Sequence, residues 1–523
     1  MNFILYSDIG ESTINKSLGL PEYSYYFVLK AFRSALAELG AVTLVRDPAT
    51  EVDPLFEACR QRGEECVFLS FSPPNKTLVD LKCPTVSVFA WEYNNIPNEQ
   101  WDDDLRNDWR TVFASHGRTI TLSGYTARTV KDAMGADFAV LAAPAPLWEH
   151  FAEARARLGR RSPGINTEIQ LRGTVLDSRV LGLSADSLLP NTAPPAPVVE
   201  AAPVVAPEPP PKNLRYRLSV TKRHLLDWYR EALRDLLPAW LADTAATAAR
   251  KSYAIVRPRP APAPVLPAPP VAVVEEPEVQ VKLDGVVYTS VFSPKDGRKN
   301  WFDMVTAFCW TFRDVDDATL VLKMNDRDLS SYRPTLMTLL SQLAPFKCRV
   351  VTLHAFLDDA TYEKLIGATT YYVNTSLCEG LCLPLMEFMS CGVPAIAPKH
   401  TAMEDYVDDS VAFIVKSGLE HNVWPHDPRD LFRTLRYRLD WASICKAYRD
   451  SYQMAKDAPE KYEQMSDRVL QRMQSYASVG VVKEQLQHFF QQTEPSLLDP
   501  DSVSTRTAQF SASLSTPLTG PAA

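Results

Sequence analysis

The chain reads as an α/β protein of two domains, each built on a mainly parallel sheet. Three observations predict this. Short β-branched and aromatic runs alternate with amphipathic helical stretches in both halves. At 523 residues the chain exceeds what a single hydrophobic core supports. A proline-dense stretch separates the halves, with 18 of the 41 prolines between residues 190 and 277.

In the first half, "NFILYS" is a strand and "YFVLKAFRSALAELG" an amphipathic helix ending at Gly40. "AVTLV", "CVFLSF" and "TVSVFAWE" are further strands, and "RTITLSGYTARTVKDAMG" is a strand followed by a helix. These elements define an N-terminal Rossmann-like domain over residues 1–150. Residues 151–283 read as an insertion. Its runs "PNTAPPAPVVEAAPVVAPEPPPK" and "RPRPAPAPVLPAPPVAVVEEPE" favour extended polyproline spacing and cannot build a core. Between them, 213–252 has a helical pattern, with Arg215, Arg217, Lys222, Arg223, Arg230 and Arg234 interleaved with aromatic and leucine residues. A basic amphipathic helix suits an anionic membrane surface. Docking on a protein body is the preferred alternative, because Asp227, Glu231 and Asp235 dilute its charge.

Alternation resumes over 284–475, the second Rossmann-like domain, with "GVVYTSVFS", "WFDMVTAFCWTFRD", "ATLVLKM", "YRPTLMTLLSQL", "CRVVTLH" and "DDATYEKLIG". A helical region from about 428 to 492, with a closing helix at 476–492, is expected to complete the fold. Residues 493–523 read as a disordered tail.

A net charge of −8 gives no general attraction to nucleic acid. The nine cysteines are scattered singly, without CxxC pairs or partnered histidines, as expected of reduced thiols in a cytosolic protein. "MNFILYSDIG" enters a strand directly, with no leader-like apolar run, and no segment reaches about 18 uninterrupted apolar residues. A soluble cytoplasmic protein is expected, with peripheral membrane contact confined to 213–252.

The chemistry concentrates in "NTSLCEGLCLPLMEFMSCGVPAIAP", residues 374–398. The strand "TTYYVNTS" leads into it, Pro384 suits a first helical turn and Gly392 a helix stop. Strand, turn, helix and strand make half of a parallel layer, with Glu379 and Glu387 near the helix mouth. In "SVFSPKDGRKNWFDMVTAF", Arg298 and Lys299 follow the second domain's first strand. Ligands of open α/β sheets gather at the carboxyl ends of strands, so both loops should face one crevice. Cations and a helix N-terminus on one wall suit a diphosphate. Carboxylates on the other suit ribose and sugar hydroxyls.

"SLCEGLCLPLMEFMSCGVPAIA" resembles the E-x7-E signature of retaining glycosyltransferases of the GT-B fold, in the group-one, family-four class. "GRKNWFDMVTAF" is similar to that class's phosphate loop and following helix, and "DDATYEKLIGATTYYVNTS" to the segment leading into the signature. "FAWEYNNIPNEQW" and "TLSGYTARTVKDAMG" resemble the acceptor-side domain of bacterial members that build surface polysaccharide. The resemblance covers roughly 1–150 and 284–475. It implies two Rossmann-like domains facing a crevice and transfer with retention, without metal or cofactor. The donor would be a nucleotide-diphosphate sugar, the acceptor a glycan or lipid-linked glycan. Lys299, with Arg298, would hold the diphosphate, and Glu387 the ribose. Glu379 and the Gly380, Leu381, Cys382 and Leu383 backbone would hold the transferred sugar. Glu379 and Lys299 would carry the catalysis. The class commonly has Glu-Gly-Phe-Gly, where this chain has Cys382 at the second glycine. The class's arginine position is Pro294, with Lys295 or Arg298 as substitutes.

On the acceptor side, Gly10, Trp91 and Glu92 are candidates, against a plain turn for Gly10 and core packing for Trp91. Asp326 and Asp328 in "NDRD" read as a turn rather than a metal pair, and His116 and His354 as structural histidines. "WDDDLRND", residues 101–108, reads as an acidic helix start. The rival classes are a non-catalytic glycan- or nucleotide-binding scaffold, and a sugar-nucleotide epimerase or phosphorylase of the same fold.

Overall fold

A computed structural model describes residues 1–9, 23–164, 166–180, 221, 225, 278–326 and 328–491. Gly10, nearly all of the 213–252 helix and the 493–523 tail lie outside the described residues. The chain divides into two compact units, Met1–Thr192 with Glu276–Ala523, and Ala193–Glu275. Every element below belongs to the first.

The N-terminal half holds β1 (Asn2–Ser7), β2 (Ala41–Leu44), β3 (Cys66–Phe71), β4 (Thr85–Phe89), β5 (Arg118–Thr121) and β6 (Ala139–Ala142). They pair in the order β2-β1-β3-β4-β5-β6, parallel throughout. β3, β4 and β5 are buried at every residue, as expected of parallel strands covered on both faces. The helices are α1 (Tyr23–Ala37), α2 (Pro48–Gln61), α3 (Trp109–His116) and α4 (Gly124–Met134). The strand–helix alternation did not reveal α2, although its signals are local. Asp47 caps Ala49 N, Pro48 opens the first turn, and Val52, Phe56 and Cys59 form its buried stripe. "WDDDLRND" gives a 3-10 turn at Leu105–Asn107, and its last residue, Asp108, caps α3.

The stretch read as an insertion from 151 to 283 is partly folded structure. It contains α5 (Ala152–Leu158), β7 (Thr167–Arg172), β8 (Thr174–Asp177) and β9 (Glu278–Leu283). β7 and β9 pair antiparallel, and β8 joins the second sheet. β7 and β9 bury only alternate, short apolar positions, a weak signal beside the proline runs.

The second sheet comprises β10 (Val286–Phe292), β11 (Ala318–Met324), β12 (Arg349–His354), β13 (Tyr371–Val373), β14 (Ala395–Pro398) and β15 (Ala412–Val415). Its order is β15-β14-β13-β10-β11-β12-β8, parallel except for β8. The helices are α6 (Trp301–Thr311), α7 (Arg333–Leu343), α8 (Asp359–Ala368) and α9 (Leu383–Ser390). Two Rossmann-like parallel sheets are therefore present.

The helical region expected from about 428 begins later. β16 (Ser417–Val423) and β17 (Arg433–Leu439) form an antiparallel arm before α10 (Trp441–Asp457), α11 (Pro459–Ala477) and α12 (Val479–Gln491). "RTLRYRL" alternates leucine or tyrosine with arginine, a period of two that is a strand signal. One hydrophobic core crosses both halves, joining Phe3, Phe32 and Phe89 to Val287, Phe388, Met389 and Phe490. α12 returns to the first sheet, where the Phe490 ring lies 5.5 Å from Phe3. Among the described residues, no helix is long and apolar enough to cross a membrane.

Candidate functional site

Two loops at the carboxyl ends of β10 and β13 build the site. After β10, Asp296 Oδ1 accepts from Arg298 N at 3.3 Å and sets a 3-10 turn, Gly297–Lys299. Asn300, at φ +48°, then starts α6. After β13, Asn374 Oδ1 accepts from Ser376 N at 2.7 Å. Cys382, at φ +66°, starts α9, with Pro384 in its first turn. The loops are stitched together: Leu377 N donates to Arg298 O at 2.7 Å, and Thr375 Oγ1 to the carbonyls of Lys299 and Asn300 at 3.1 Å each.

Glu379, 2% exposed, is the centre of the cluster. Lys299 Nζ lies 2.5 Å from its Oε1, Arg298 Nη1 2.7 Å from its Oε2, and Ser376 Oγ donates to Oε1 at 2.6 Å. Burial pushes this carboxyl up, but Lys299 and Arg298 outweigh burial and hold it well below the usual carboxylate range. Arg298 also reaches Asp296 Oδ2 at 2.9 Å through Nε. The same Nε lies 3.6 Å from Glu92 Oε1, just past the end of β4 in the other sheet. Burial raises the Glu92 carboxyl, with Arg298 opposing.

Glu387 sits apart from this ion cluster. Its Oε2 accepts from Tyr362 OH of α8 at 2.6 Å. Burial pushes its pKa up to about 7, with the Tyr362 hydrogen bond pulling the other way. The Glu379 backbone is held by Thr401, whose Oγ1 accepts from Glu379 N at 3.0 Å, while Ala402 N donates to Glu379 O at 3.1 Å. Leu381 O accepts from Tyr406 OH at 2.7 Å. Asn300, Cys382 and Thr401 are three of the six non-glycine residues with positive φ among the described residues. Such backbone costs about 1–3 kcal/mol each and persists where surrounding contacts over-determine it. Here those contacts are the stitched loops.

The sequence-derived candidates fall into place unevenly. Arg298, Lys299 and Glu379 come together, but the expected separate cationic and acidic walls are one ion cluster. Of Lys295 and Arg298, it is Arg298 that reaches Glu379; Lys295 pairs with Asp326 at 3.1 Å. A Cβ on Gly380 would lie 2.8 Å from Ala90 Cβ and 3.1 Å from Trp91 N, so this glycine admits the N-terminal half's backbone. Cys382 occupies the left-handed position with Asn374 Nδ2 donating to its Sγ at 2.9 Å, and burial pushes the thiol up to about 12. Leu381 and Leu383 are buried.

Trp91 is core rather than a free stacking face. It is 4% exposed, with its ring 4.5 Å from Trp109, 5.1 Å from Tyr93 and 5.5 Å from Trp424. Its Nε1 donates to Asn95 O at 2.8 Å. Glu92 faces the cation cluster, with its Oε1 3.6 Å from Arg298 Nε. Asp328 caps the 3-10 turn Leu329–Ser331. His354 Nδ1 lies 2.8 Å from Tyr332 OH, and His116 Nε2 lies 3.0 Å from Leu78 O. All nine cysteines are free.

Sequence reasoning missed Asp296, Tyr362, Ser376 and Thr401. Ser376 sits in the same loop as Glu379, and Asp296 is an Asx turn two residues before Arg298, both readable locally. Tyr362 and Thr401 carry no local signal. Beside Lys299, Ser376, Glu379 and Cys382 lies a cavity of about 10 Å³, room for about one water molecule.

No family model matches the chain, and no curated protein matches it. Among solved structures, it is similar to HepE of Anabaena in complex with UDP, at 13% identity and a TM-score of 0.42, covering 94% of this chain and 99% of that one. It is also similar to a glycosyltransferase from Rickettsia africae, at 8% identity and a TM-score of 0.42, covering 94% and 97%. Similarity to an α,α-trehalose 6-phosphate synthase from Burkholderia multivorans is 9% identity and a TM-score of 0.41, covering 88% and 74%. At these values the likenesses assign no chemistry, and function rests on the site's own residues.

Proposed function

We propose that the protein is a cytoplasmic, retaining, metal-independent glycosyltransferase of the GT-B type. It moves a sugar from a nucleotide-diphosphate donor to a glycan or lipid-linked glycan, in the building of surface polysaccharide. The observation that carries this reading is the buried Glu379, gripped by Lys299 and Arg298 where β10 and β13 end beside two helix N-termini. A buried carboxylate held by two cations is a site where ligand charge can be exchanged for protein charge. The donor's diphosphate competes for the cations, and sugar hydroxyls donate to Glu379 in their place. As the bond between sugar and diphosphate breaks, negative charge grows on the leaving group. Lys299 and Arg298, already in place, stabilise it without reorganisation. A carboxylate accepts several hydrogen bonds, so Glu387 takes the ribose hydroxyls while keeping Tyr362.

One observation favours the non-catalytic rival. The cations are satisfied by Glu379 and the adjoining cavity is small, as in a purely structural ion cluster. Thermal-shift and calorimetric titration with UDP-, GDP-, ADP- and dTDP-glucose, with and without EDTA, separates the two readings. We expect one donor to stabilise the wild type regardless of EDTA but not Lys299→Ala/Glu387→Ala, with NMR of the product showing the donor's anomeric configuration. Absence of any stabilising donor, or equal stabilisation of the double variant, overturns the assignment.

A further inference from the structure

We infer that the arm β16–β17 positions the Glu379 loop and does so through its anchorage on the N-terminal half at Asn94. The catalytic consequence rests on the glycosyltransferase reading; the mechanical coupling does not.

At its base the arm holds the loop directly. Tyr437 N donates to Leu377 O at 2.9 Å, two residues before Glu379. The Tyr437 ring stacks on His400 at 4.3 Å and 9°. His400 precedes Thr401, the residue that accepts from Glu379 N. At its far end the arm is bound to the segment after β4. Asn94 Oδ1 accepts from Leu435 N at 2.8 Å and Thr434 Oγ1 at 3.1 Å, and Asn95 Nδ2 donates to Arg433 O at 2.9 Å. Trp424 packs 5.5 Å from Trp91, 6.3 Å from Trp101 and 6.4 Å from Trp109. Arg429 pairs with Glu99 at 3.0 Å and lies over Trp101 at 4.5 Å. Asp427 shapes the connecting turn, accepting from Phe432 N at 2.7 Å and Leu431 N at 3.1 Å.

Between these attachments the arm has little core of its own: Leu419 is 61% exposed and no residue of β16 is buried. A lone two-stranded ribbon is marginal in water, so its order depends on its two ends. Strand β17 is the connection. Residues 434 and 435, held by Asn94, lie three and two positions from Tyr437, roughly 7–10 Å along an extended strand. Releasing Asn94 therefore loosens the strand that holds Leu377, and with it the carboxylate that two cations must meet. Asn94 and Tyr437 are positioning residues in this account, since neither touches the Glu379 carboxylate.

Asn94→Ala removes the accepting oxygen, and Asn94→Asp retains one. Hydrogen exchange is read by mass spectrometry on the nucleotide-free full chain. We expect Asn94→Ala to speed exchange across 374–390 by about tenfold, with Asn94→Asp returning it to within about threefold of wild type. Thr434→Val, which removes one of the two bonds, should move the same peptides less, and it serves if Asn94→Ala does not fold. Faster exchange confined to 417–439, with 374–390 unchanged in both variants, overturns the coupling. With the donor identified above, Asn94→Ala should lower kcat about tenfold and leave KM within about threefold, with Asn94→Asp restoring kcat. A KM change without a kcat change overturns the positioning role. Coupling in the exchange data with no donor turned over by wild type leaves the inference standing and removes the glycosyltransferase reading instead.

Discussion

At the scale of single residues, Glu387 makes the site's most visible titration. Its pKa is raised from 4.5 to about 7 by burial, so the folded state prefers the protonated form. That preference contributes stability fully present below the unfolded pKa and lost as pH rises through about 7. Glu387→Gln cannot ionise. We therefore expect its Tm to match wild type near pH 4 and to exceed it at pH 8, in melts across that range. If ionised Glu387 receives the ribose, nucleotide affinity should rise with pH through about 7 in wild type and stay flat in the variant. Glu379 behaves oppositely: its depressed pKa contributes stability present above the ordinary carboxylate range and lost on acidification. Its pairing with Lys299 is open to a double-mutant cycle. Breaking a buried pair from one side costs about 3–5 kcal/mol when nothing else compensates. Arg298 and Ser376 remain on Glu379, so Lys299→Met should fall below that range, and Glu379→Gln, which takes the carboxylate from Lys299 and leaves Arg298 only Asp296 and Glu92, should cost more. The double variant should recover at least about 1 kcal/mol relative to the sum; simple additivity in urea melts would mean the two do not interact. Glu379, Lys299 and Arg298 were legible because charged residues at strand–helix junctions stand out. Tyr362 and Thr401 were not, since a hydroxyl announces nothing until folding brings it across 25 or 22 residues to its partner.

At the scale of elements, the strands were readable wherever buried runs were long, and β13–α9–β14 was legible down to Pro384 and Gly392. What failed was β17, where an arginine-rich alternation was absorbed into a neighbouring helical pattern, and β7 to β9, overshadowed by proline composition. Both errors fall on elements with exposed faces, where hydrophobic periodicity is weakest. Gly380 tests how closely the site loop is pressed against the other half. A Cβ there meets Ala90 Cβ at 2.8 Å, whereas one on Gly297, in the neighbouring cation loop, meets nothing within 4 Å. Gly380→Ala should destabilise by about 1–3 kcal/mol through overpacking, and Gly297→Ala should stay within about 0.5 kcal/mol. Equal effects in denaturant melts would mean that the loop is not pressed against Ala90.

At the scale of the whole molecule, alternating elements revealed two sheets but not that they share a core. Periodicity says which face of an element is buried, never against what, and Phe3 meets Phe490 across almost the entire described chain. α12 makes the connection physical. It buries Val482, Leu486 and Phe490, while Val479 N donates to Glu149 Oε2 at 2.8 Å and Lys483 pairs with Glu38 at 2.9 Å. α11, which precedes α12, is packed on the other half, with Ser466 Oγ donating to Gly392 O at 2.6 Å. A change at Phe490 thus acts directly on the first sheet and reaches the second only if the halves unfold together. Phe490→Ala should cost about 3–5 kcal/mol. Hydrogen exchange at β3 and at β11 reads the two halves separately. If the shared core makes them one cooperative unit, protection at the slowest amides of both strands should fall by the same free energy. Loss at β3 with β11 unchanged would mean that each half melts by itself, and that the site between β4, β10 and β13 is assembled from two independently stable parts.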